Sequence, residues 1–256
     1  MAEKLYTLIT GASSGIGRAC AFALAREGKN LLLVARRKDR LEEIKKDLSS
    51  KFSIDIKVFG TDLGIVENIN SLFEKLKDLD IDILINNAGF ALGKSSIEDY
   101  DWNDFNQMID VNVRAFTRVA QLAIPFIKKT KGHIINISSI AGLEAYEGGS
   151  VYCSTKAYVK MMSKSIRIDL AGTGVRVTDI APGAADTEFS LVRFKGDKEV
   201  ADAVYENFVP LYAEDIAETI VFALNRPNSV NLEQIVIMPT AQAGATRIHR
   251  ELRMEN

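Results

Sequence analysis

The sequence predicts an α/β protein with a doubly wound parallel sheet of about seven strands and helices on both faces. Short runs rich in Val, Ile and Leu alternate with longer amphipathic stretches along all 256 residues. The apolar runs are mostly unbroken by polar residues, as expected of strands that are covered on both faces. No repeat, low-complexity stretch or Pro/Gly/Ser-rich linker divides the chain. We therefore expect a single domain over residues 1–256.

Seven apolar runs are predicted to be strands, at residues 5–9, 31–35, 56–59, 83–85, 133–137, 175–180 and 235–237. The predicted helices lie between them, at residues 15–27, 38–50, 65–79, 101–129, 150–171 and 214–225. Such strand–helix alternation is typical of parallel sheets. We expect residues 101–129 to form two abutting helices, because the stretch is long and Asn112 interrupts it.

Residues 183–209 break this alternation. Roughly 30 residues separate the sixth strand from the last predicted helix, which exceeds the usual connection in a compact domain. Long connections of this kind are often lids over a site, although a surface excursion without a role is the alternative. We expect a substrate lid here.

Composition excludes several classes of function. The net charge of -2 attracts neither nucleic acid nor an anionic membrane surface. No apolar run reaches the roughly 20 residues of a membrane helix, and the N-terminus lacks a secretory signal pattern. Two cysteines and two histidines are too few for a disulfide framework or a metal site. These observations together predict a cytoplasmic protein without a metal.

A glycine-rich loop follows the first strand and opens the first helix. Its sequence is Thr10-Gly11-Ala12-Ser13-Ser14-Gly15-Ile16-Gly17. Glycines permit a tight turn and close backbone approach, and a helix N-terminus offers free N–H groups to phosphate. Placed between a strand and a helix, the loop predicts a Rossmann-type dinucleotide site, and a glycine-rich turn without a ligand is the alternative.

The end of the second strand indicates which dinucleotide binds. An NAD site normally places a carboxylate there for the ribose 2′-OH, whereas this chain has Arg36, Arg37 and Lys38. Guanidinium groups suit a 2′-phosphate, so we expect Arg36 and Arg37 to select NADP(H). Arg18 either adds to the same pocket or is a solvated helix residue.

Tyr152 and Lys156 lie four residues apart in a predicted helix, so they share a face. A phenol ordinarily ionises near pH 10, and a neighbouring cation lowers that pKa. The pair therefore predicts an acid/base group, with Ser139 thirteen residues upstream of Tyr152. Each residue alone is more often a capping, turn or surface residue, and the prediction depends on their joint spacing.

These motifs, with Asn86-Asn87-Ala88-Gly89 and Pro182-Gly183, resemble the short-chain dehydrogenases/reductases over essentially the whole chain. The resemblance implies that Asn112, Ser139, Tyr152 and Lys156 form the catalytic tetrad. It implies cofactor contacts at the glycine loop and at Asp62, Leu63, Asn86, Ala88, Gly89, Tyr152, Lys156, Pro182, Gly183 and Thr187.

In the second half, residues 187–197, Val230-Asn231 and Met238-Pro239-Thr240 are similar to the NADP-dependent 3-hydroxy acid dehydrogenases of that family. This similarity implies a small anionic substrate such as serine, allo-threonine, 3-hydroxypropionate or malonic semialdehyde. We expect Arg193 to bind its carboxylate, and Tyr146 and Glu147 to border it with Ser139. The alternatives are a sulfoacetaldehyde reductase, a 3-oxoacyl or sugar carbonyl reductase, and a non-catalytic NADPH-binding regulator. Ala184-Ala185-Asp186 departs from the small or apolar linker expected there.

The predicted helix at 150–171 carries apolar residues on more than one side, including Val151, Met161 and Ile168. Family resemblance implies that such helices pack against a second subunit, so we expect a homotetramer. Burial within one chain is the alternative. The polar tail, residues 241–256, is expected to be an inter-subunit arm or frayed.

Overall fold

The computed structural model describes residues 4–251 and has a seven-stranded parallel sheet at its centre. The strands of the described residues are β1 (Leu5–Thr10), β2 (Asn30–Ala35), β3 (Ile56–Gly60), β4 (Asp80–Asn86), β5 (His133–Ile137), β6 (Arg176–Pro182), β7 (Ala185–Asp186), β8 (Leu211–Tyr212) and β9 (Gln234–Ile237). The order in the sheet is β3-β2-β1-β4-β5-β6-β9, with every neighbouring pair parallel. The α/β fold class and the seven predicted strands are confirmed.

Helices cover both faces of the sheet. They are α1 (Gly15–Arg26), α2 (Lys38–Lys51), α3 (Val66–Leu76), α4 (Trp102–Ile109), α5 (Phe116–Thr130), α6 (Ser150–Asp169), α7 (Glu188–Arg193), α8 (Lys198–Ala203) and α9 (Ala213–Leu224). On β2, Leu31 and Leu33 join the core formed with α1, α2 and α9. Leu32 and Val34 join the core formed with α3, α5 and α6. Successive strand residues point to opposite faces, so a continuous apolar run supplies both cores.

The predicted break at Asn112 is a stretch of π-helix, Asp110–Ala115, between α4 and α5. One extra residue per turn shifts side chains relative to a regular helix, and such turns are frequent at functional sites. Residues 102–130 thus form two α-helices joined without a break by a π-helical stretch. The π-helical stretch buries Asn112.

Residues 183–209 are more regular than the sequence suggested. They contain β7, α7 and α8, and β7 pairs in parallel with β8. The hydroxyls of Ser190 and Tyr205 lie 2.8 Å apart, and Tyr205 donates to the Ala185 carbonyl at 2.8 Å. The unusual Ala184-Ala185-Asp186 sequence is thus part of a small second sheet, and Ala184 N–H donates to the Gln242 side chain at 2.8 Å.

Within residues 4–251, no helix combines the length and the apolar character needed to cross a membrane. The same residues hold no cluster of His, Cys, Asp and Glu that could bind a metal ion. Cys20 and Cys153 are both buried free thiols. Residues 241–251 turn back on themselves through a bridge between Gln242 and Ile248, and the Glu251 N–H donates to the Asn207 carbonyl at 2.8 Å. The expectation for the end of the tail falls on residues 252–256, outside the described residues.

The turn after β5 packs directly on the backbone of α6. A Cβ on Gly142 would lie 2.6 Å from the carbonyl carbon and oxygen of Lys156. No side chain fits in that space. The missing side chain therefore fixes the distance between the Ser139 turn and the helix that carries Tyr152 and Lys156.

We predict that Gly142→Ala lowers the free energy of unfolding by about 1–3 kcal/mol, the usual cost of overpacking. Urea unfolding followed by circular dichroism measures this loss. Gly64→Ala is the matched control, because its nearest contact is a side-chain oxygen at 3.3 Å. Equal stability of the two variants would contradict the packing argument.

Candidate active site

Two adjoining cavities open where the carboxyl ends of β1, β4, β5 and β6 meet, the usual ligand position in such sheets. The glycine-loop cavity has a volume of about 340 Å³. It is lined by Gly11, by residues 13–16 and by the start of α7. The tyrosine cavity, about 510 Å³, is lined by Ser139, Tyr152, Lys156 and Arg193 among others. Both share the walls formed by Ile16, Asn87, Gly89, Thr187 and Phe189. One molecule can therefore extend from the first cavity into the second.

The loop after β1 presents backbone N–H groups to the glycine-loop cavity. Gly11 and Gly15 have φ values of +67° and +50°, a region that favours glycine. Ser14 is the N-cap of α1, yet its side chain does not cap the helix. The first N–H groups of α1 therefore lack a side-chain acceptor at the positive end of the helix dipole. This arrangement fits a phosphate group.

Arg37 places a guanidinium beside this loop. It donates to the hydroxyl of Ser14 at 2.9 Å and to that of Ser13 at 3.3 Å. Arg36 also lines the glycine-loop cavity. The two arginines make this end of the cavity cationic, which fits a dinucleotide with an additional phosphate. Arg18 is exposed and stacks on Phe22 at 4.6 Å, so it does not join this group.

Other predicted cofactor residues divide into two sets. Asp62, Leu63, Ala88 and Gly89 line the glycine-loop cavity, and Pro182, Gly183 and Thr187 line the tyrosine cavity. Asp62 accepts the Gly64 N–H at 2.9 Å, which fixes the carboxylate at the wall.

Gly17 and Asn86 lie outside both cavity walls. Gly17 permits packing of α1 on the loop, since a Cβ there would lie 2.4 Å from the Gly11 carbonyl oxygen. Asn86 is buried and donates to the Phe116 carbonyl at 3.0 Å. The wall position belongs instead to Asn87, whose amide donates to the Thr10 carbonyl at 2.9 Å.

Tyr152 and Lys156 share one face of α6 and are both buried. The Lys156 ammonium donates to the Ile137 carbonyl at 2.9 Å and lies 5.9 Å from the centre of the Tyr152 ring. Burial lowers the pKa of Lys156 to about 8, while Asp179 acts in the opposite direction. Lys156 thus ties α6 to the end of β5.

The expected lowering of the Tyr152 pKa by Lys156 is not found in this structure. Burial raises the pKa of Tyr152 well above its ordinary value, and Tyr146 adds to the rise. A hydrogen bond with Ser139 and the charge of Arg193 act against it. The spacing placed the two residues on one face, but Lys156 is directed to Ile137 rather than to the phenol oxygen. Tyr152 is therefore a protonated phenol at neutral pH.

Ser139 and Asn112 complete the predicted tetrad. Ser139 lines the tyrosine cavity, and its hydroxyl accepts the Ala141 N–H at 3.1 Å. Asn112 donates to the Phe90 carbonyl at 2.8 Å and to the Thr155 hydroxyl at 3.1 Å, and accepts the Phe90 N–H at 3.0 Å. A Cβ on Gly89 would meet both Asn112 and Lys156, at 3.1 and 3.4 Å. The two residues therefore converge behind the cavity wall.

Arg193 joins the tyrosine cavity from the C-terminal end of α7. It donates to the Gly93 carbonyl at 3.1 Å through Nε and to the Tyr146 hydroxyl at 2.8 Å through Nη1. Its Nη2 is buried and has no hydrogen-bond partner among residues 4–251. A buried guanidinium nitrogen without an acceptor is costly, so this atom suits an anionic group of a ligand. Glu147 also lines the cavity, although its side chain is exposed.

Three residues of this site were missed by sequence analysis. Asn87 was quoted within a motif but not selected. Phe189 packs its ring 5.4 Å from that of Tyr152, and Glu188 forms ion pairs with Arg37 and Arg40. The sequence offered one signal, the acidic and aromatic residues directly after Thr187. It could not show that Glu188 meets Arg40, because the two are about 150 residues apart and no local pattern records such a contact.

Comparison with known proteins agrees with this geometry. The family model described as short chain dehydrogenase matches residues 6–197. An NADP-dependent 3-hydroxy acid dehydrogenase of Schizosaccharomyces pombe is 44% identical over 248 residues, covering 95% of this chain and 96% of the relative. Sulfoacetaldehyde reductase 2 of Chromohalobacter salexigens is 40% identical, covering 92% and 94%.

Among solved structures, the closed form of a serine dehydrogenase complexed with NADP+ superimposes with a TM-score of 0.88. It is 37% identical and covers 96% of this chain and 100% of the solved chain. The family model matches well over half of the residues, and the resemblance found in the sequence is confirmed. This chain belongs to the short-chain dehydrogenase family.

Proposed function

We propose that the protein is an NADP(H)-dependent oxidoreductase that interconverts a small 3-hydroxy acid and its 3-oxo acid or semialdehyde. The observation that carries the substrate class is Arg193. Within the described part of the chain its Nη2 is a buried donor without a partner, and the residue lines the cavity that holds Ser139 and Tyr152. A movement of the side chain that exposes this nitrogen would let a carboxylate pair with it while the substrate oxygen reaches the two hydroxyls.

The proposed cofactor is NADP(H). The N-terminus of α1 would hold the central phosphates, and Arg36 and Arg37 would hold the 2′-phosphate. Two names support this cofactor: the relative from Schizosaccharomyces pombe is called NADP-dependent, and the solved serine dehydrogenase is complexed with NADP+. When bound, the nicotinamide supplies the acceptor or donor of a hydride.

The chain's own residues supply the proton chemistry. In oxidation, the substrate loses a hydride from C3 and its hydroxyl proton, which passes through Tyr152 to solvent. The products are the 3-oxo compound, NADPH and a proton. In reduction, Tyr152 returns a proton to the carbonyl oxygen while Ser139 donates a hydrogen bond to it. Lys156 and Asn112 hold Tyr152 and the neighbouring wall in place, and a water beside Asn112 would connect the site to solvent.

The lid positions the substrate. Residues 183–209 include α7, which brings Phe189 against the Tyr152 ring and Arg193 against Tyr146. Tyr146 and Glu147 border the same cavity from the loop before α6. Glu147 would attract the amino group of serine and would be unfavourable beside a substrate that carries only negative charge.

The reduction of sulfoacetaldehyde is the second candidate. A sulfonate presents the same anionic oxygens to a guanidinium as a carboxylate does. The Chromohalobacter relative, a sulfoacetaldehyde reductase at 40% identity, supports it. Reductases for 3-oxoacyl thioesters or sugars fit less well, because their substrates present no anionic group to Arg193. A regulator that binds NADPH without turnover has no need of the buried Tyr152–Lys156 pair.

Steady-state rates with a substrate panel test the function. Serine, 3-hydroxypropionate and allo-threonine are assayed with NADP+, and malonic semialdehyde and sulfoacetaldehyde with NADPH. We expect turnover with at least one carboxylate substrate. Turnover only with sulfoacetaldehyde would favour the second candidate. No turnover with any of them, with NADPH still binding, would favour the regulator.

Tyr152→Phe is predicted to lower kcat by at least about 100-fold in both directions, because the proton then has no positioned carrier. In the unmodified enzyme, burial keeps Tyr152 protonated at neutral pH. The rate of reduction should therefore be flat around pH 7 and fall at alkaline pH. The rate of oxidation should rise as the pH increases towards the raised pKa of the phenol.

Tyr158→Phe is the control for Tyr152→Phe. Tyr158 lies on the same helix, and its hydroxyl is 2.8 Å from that of Thr117, outside both cavities. It should keep turnover and both pH profiles. Retained turnover in Tyr152→Phe would refute the proposed mechanism.

Arg193→Gln is predicted to raise KM about 10- to 100-fold for carboxylate substrates, the range expected for losing a charged hydrogen bond. KM for a neutral aldehyde of similar size should change little. Lys195→Gln is the control, because Lys195 pairs with Asp104 at 2.8 Å and does not line the tyrosine cavity. Equal losses for charged and neutral substrates would exclude a role of Arg193 in binding the carboxylate.

We further propose a homotetramer in the cytoplasm. Large apolar side chains remain exposed on α4 and α6, at Trp102 (69%), Met161 (62%) and Ile168 (61%). Met161 and Ile168 lie about two turns apart on one face of α6, and contiguous exposed apolar surface marks interaction sites. Light scattering after size exclusion should give four times the chain mass of 28.2 kDa. A mass of one chain would contradict the assembly and leave the catalytic proposal intact.

A further inference from the structure

Glu188 is the first residue of α7 and lies against the arginines beside the glycine loop. Its carboxylate is 2.9 Å from Nη1 of Arg37 and 2.5 Å from Nη1 of Arg40. Burial acts in the opposite direction, but hydrogen bonds from Arg40 and Arg37 lower the pKa of Glu188. The side chain is thus an anion at neutral pH, held by two cations.

Arg37 serves two structural partners at once. While Nη1 faces Glu188, Nη2 donates to Ser14 in the glycine loop. Arg37 and Glu188 both line the glycine-loop cavity. Under the proposed function this guanidinium receives the 2′-phosphate of NADP(H). The carboxylate of Glu188 therefore occupies donors that the phosphate requires.

The ion pairs of Glu188 are exchangeable. About two fifths of each side chain is exposed, with values of 40% for Arg37, 42% for Arg40 and 39% for Glu188. Exposed pairs of this kind are weak, each changing an equilibrium constant by at most about fivefold. A phosphate carries nearly twice the charge of a carboxylate and bonds guanidinium groups more strongly. The phosphate can displace the carboxylate, but the displacement reduces the gain from binding.

We propose that Glu188 is a specificity-determining residue, an internal anion on the lid that competes with the 2′-phosphate for Arg37, while Arg40 holds the carboxylate in place. This inference rests on the proposed use of NADP(H). Glu188 weakens the binding of phosphorylated cofactor and leaves the binding of NADH almost unaffected. With Glu188 present, the ratio of the affinities for NADPH and NADH is therefore smaller than it would be with the arginines alone.

Isothermal titration of the full chain with four ligands tests this proposal. NADPH and adenosine 2′,5′-bisphosphate carry the 2′-phosphate, whereas NADH and 5′-AMP lack it. In Glu188→Gln we expect the first two to bind about 2- to 5-fold more tightly, because Arg37 is released from one exposed ion pair. Binding of the other two should change less than about twofold, because they do not compete for the guanidinium groups.

Glu199→Gln is the matched control. Glu199 is an exposed residue of α8 in the same lid, and it makes no ion pair with any residue between 4 and 251. It removes the same charge from the chain, so it reports any effect of net charge alone. Its affinities for all four ligands should match those of the unmodified protein.

Two outcomes would overturn the proposal. Unchanged ligand preference in Glu188→Gln would show that no competition exists, and weaker NADPH binding would show that Glu188 orients the arginines for the phosphate. If Glu188→Gln does not fold by circular dichroism, Glu188→Asp replaces it, since its shorter side chain does not span both arginines. Failure of the unmodified protein to prefer NADPH over NADH would instead count against the proposed cofactor.

Discussion

The hydrogen bond from Lys156 to the Ile137 carbonyl is the interaction on which the site depends. It joins a buried ammonium on α6 to the end of β5, where burial disfavours the charge and lowers the pKa of Lys156 to about 8. The carbonyl and the nearby Asp179 compensate part of that cost. Ser139 follows Ile137 by two residues, and Tyr152 precedes Lys156 by one helical turn. Fixing this bond therefore fixes both hydroxyls.

Much of the fold could be predicted from the sequence because the sheet is covered on both faces. Each strand then needs an unbroken apolar run, as Leu31 to Val34 shows, and the runs stand out from amphipathic helices. The glycine loop was also predictable, because Gly11 and Gly15 adopt positive φ values that favour glycine over other residues. The short helices α7 and α8 were not, because six residues show too little periodicity to distinguish a helix from a loop.

The details of the site depended on facts that no local pattern contains. Asn86 and Asn87 are neighbours at the end of β4 but point in different directions. Asn86 donates to the Phe116 carbonyl of α5, whereas Asn87 lines the glycine-loop cavity. The spacing of Tyr152 and Lys156 gave the shared face but not the burial that raises the phenol pKa. Arg193 was selected by its position, whereas its partner Gly93 lies 100 residues away in the sequence.

Helix α7 connects the two halves of the site. A six-residue helix is not stable alone, so contacts at its ends decide where it lies. Glu188 attaches its first turn to α2, and Arg193 attaches its last turn to Gly93 and Tyr146. Phe189 packs on Tyr152 between them. Any ligand that alters the ion pairs of Glu188 acts on the same short helix that presents Arg193 to the substrate cavity. The proposed recognition of the cofactor phosphate and of the substrate anion would thereby be coupled through one element of the fold.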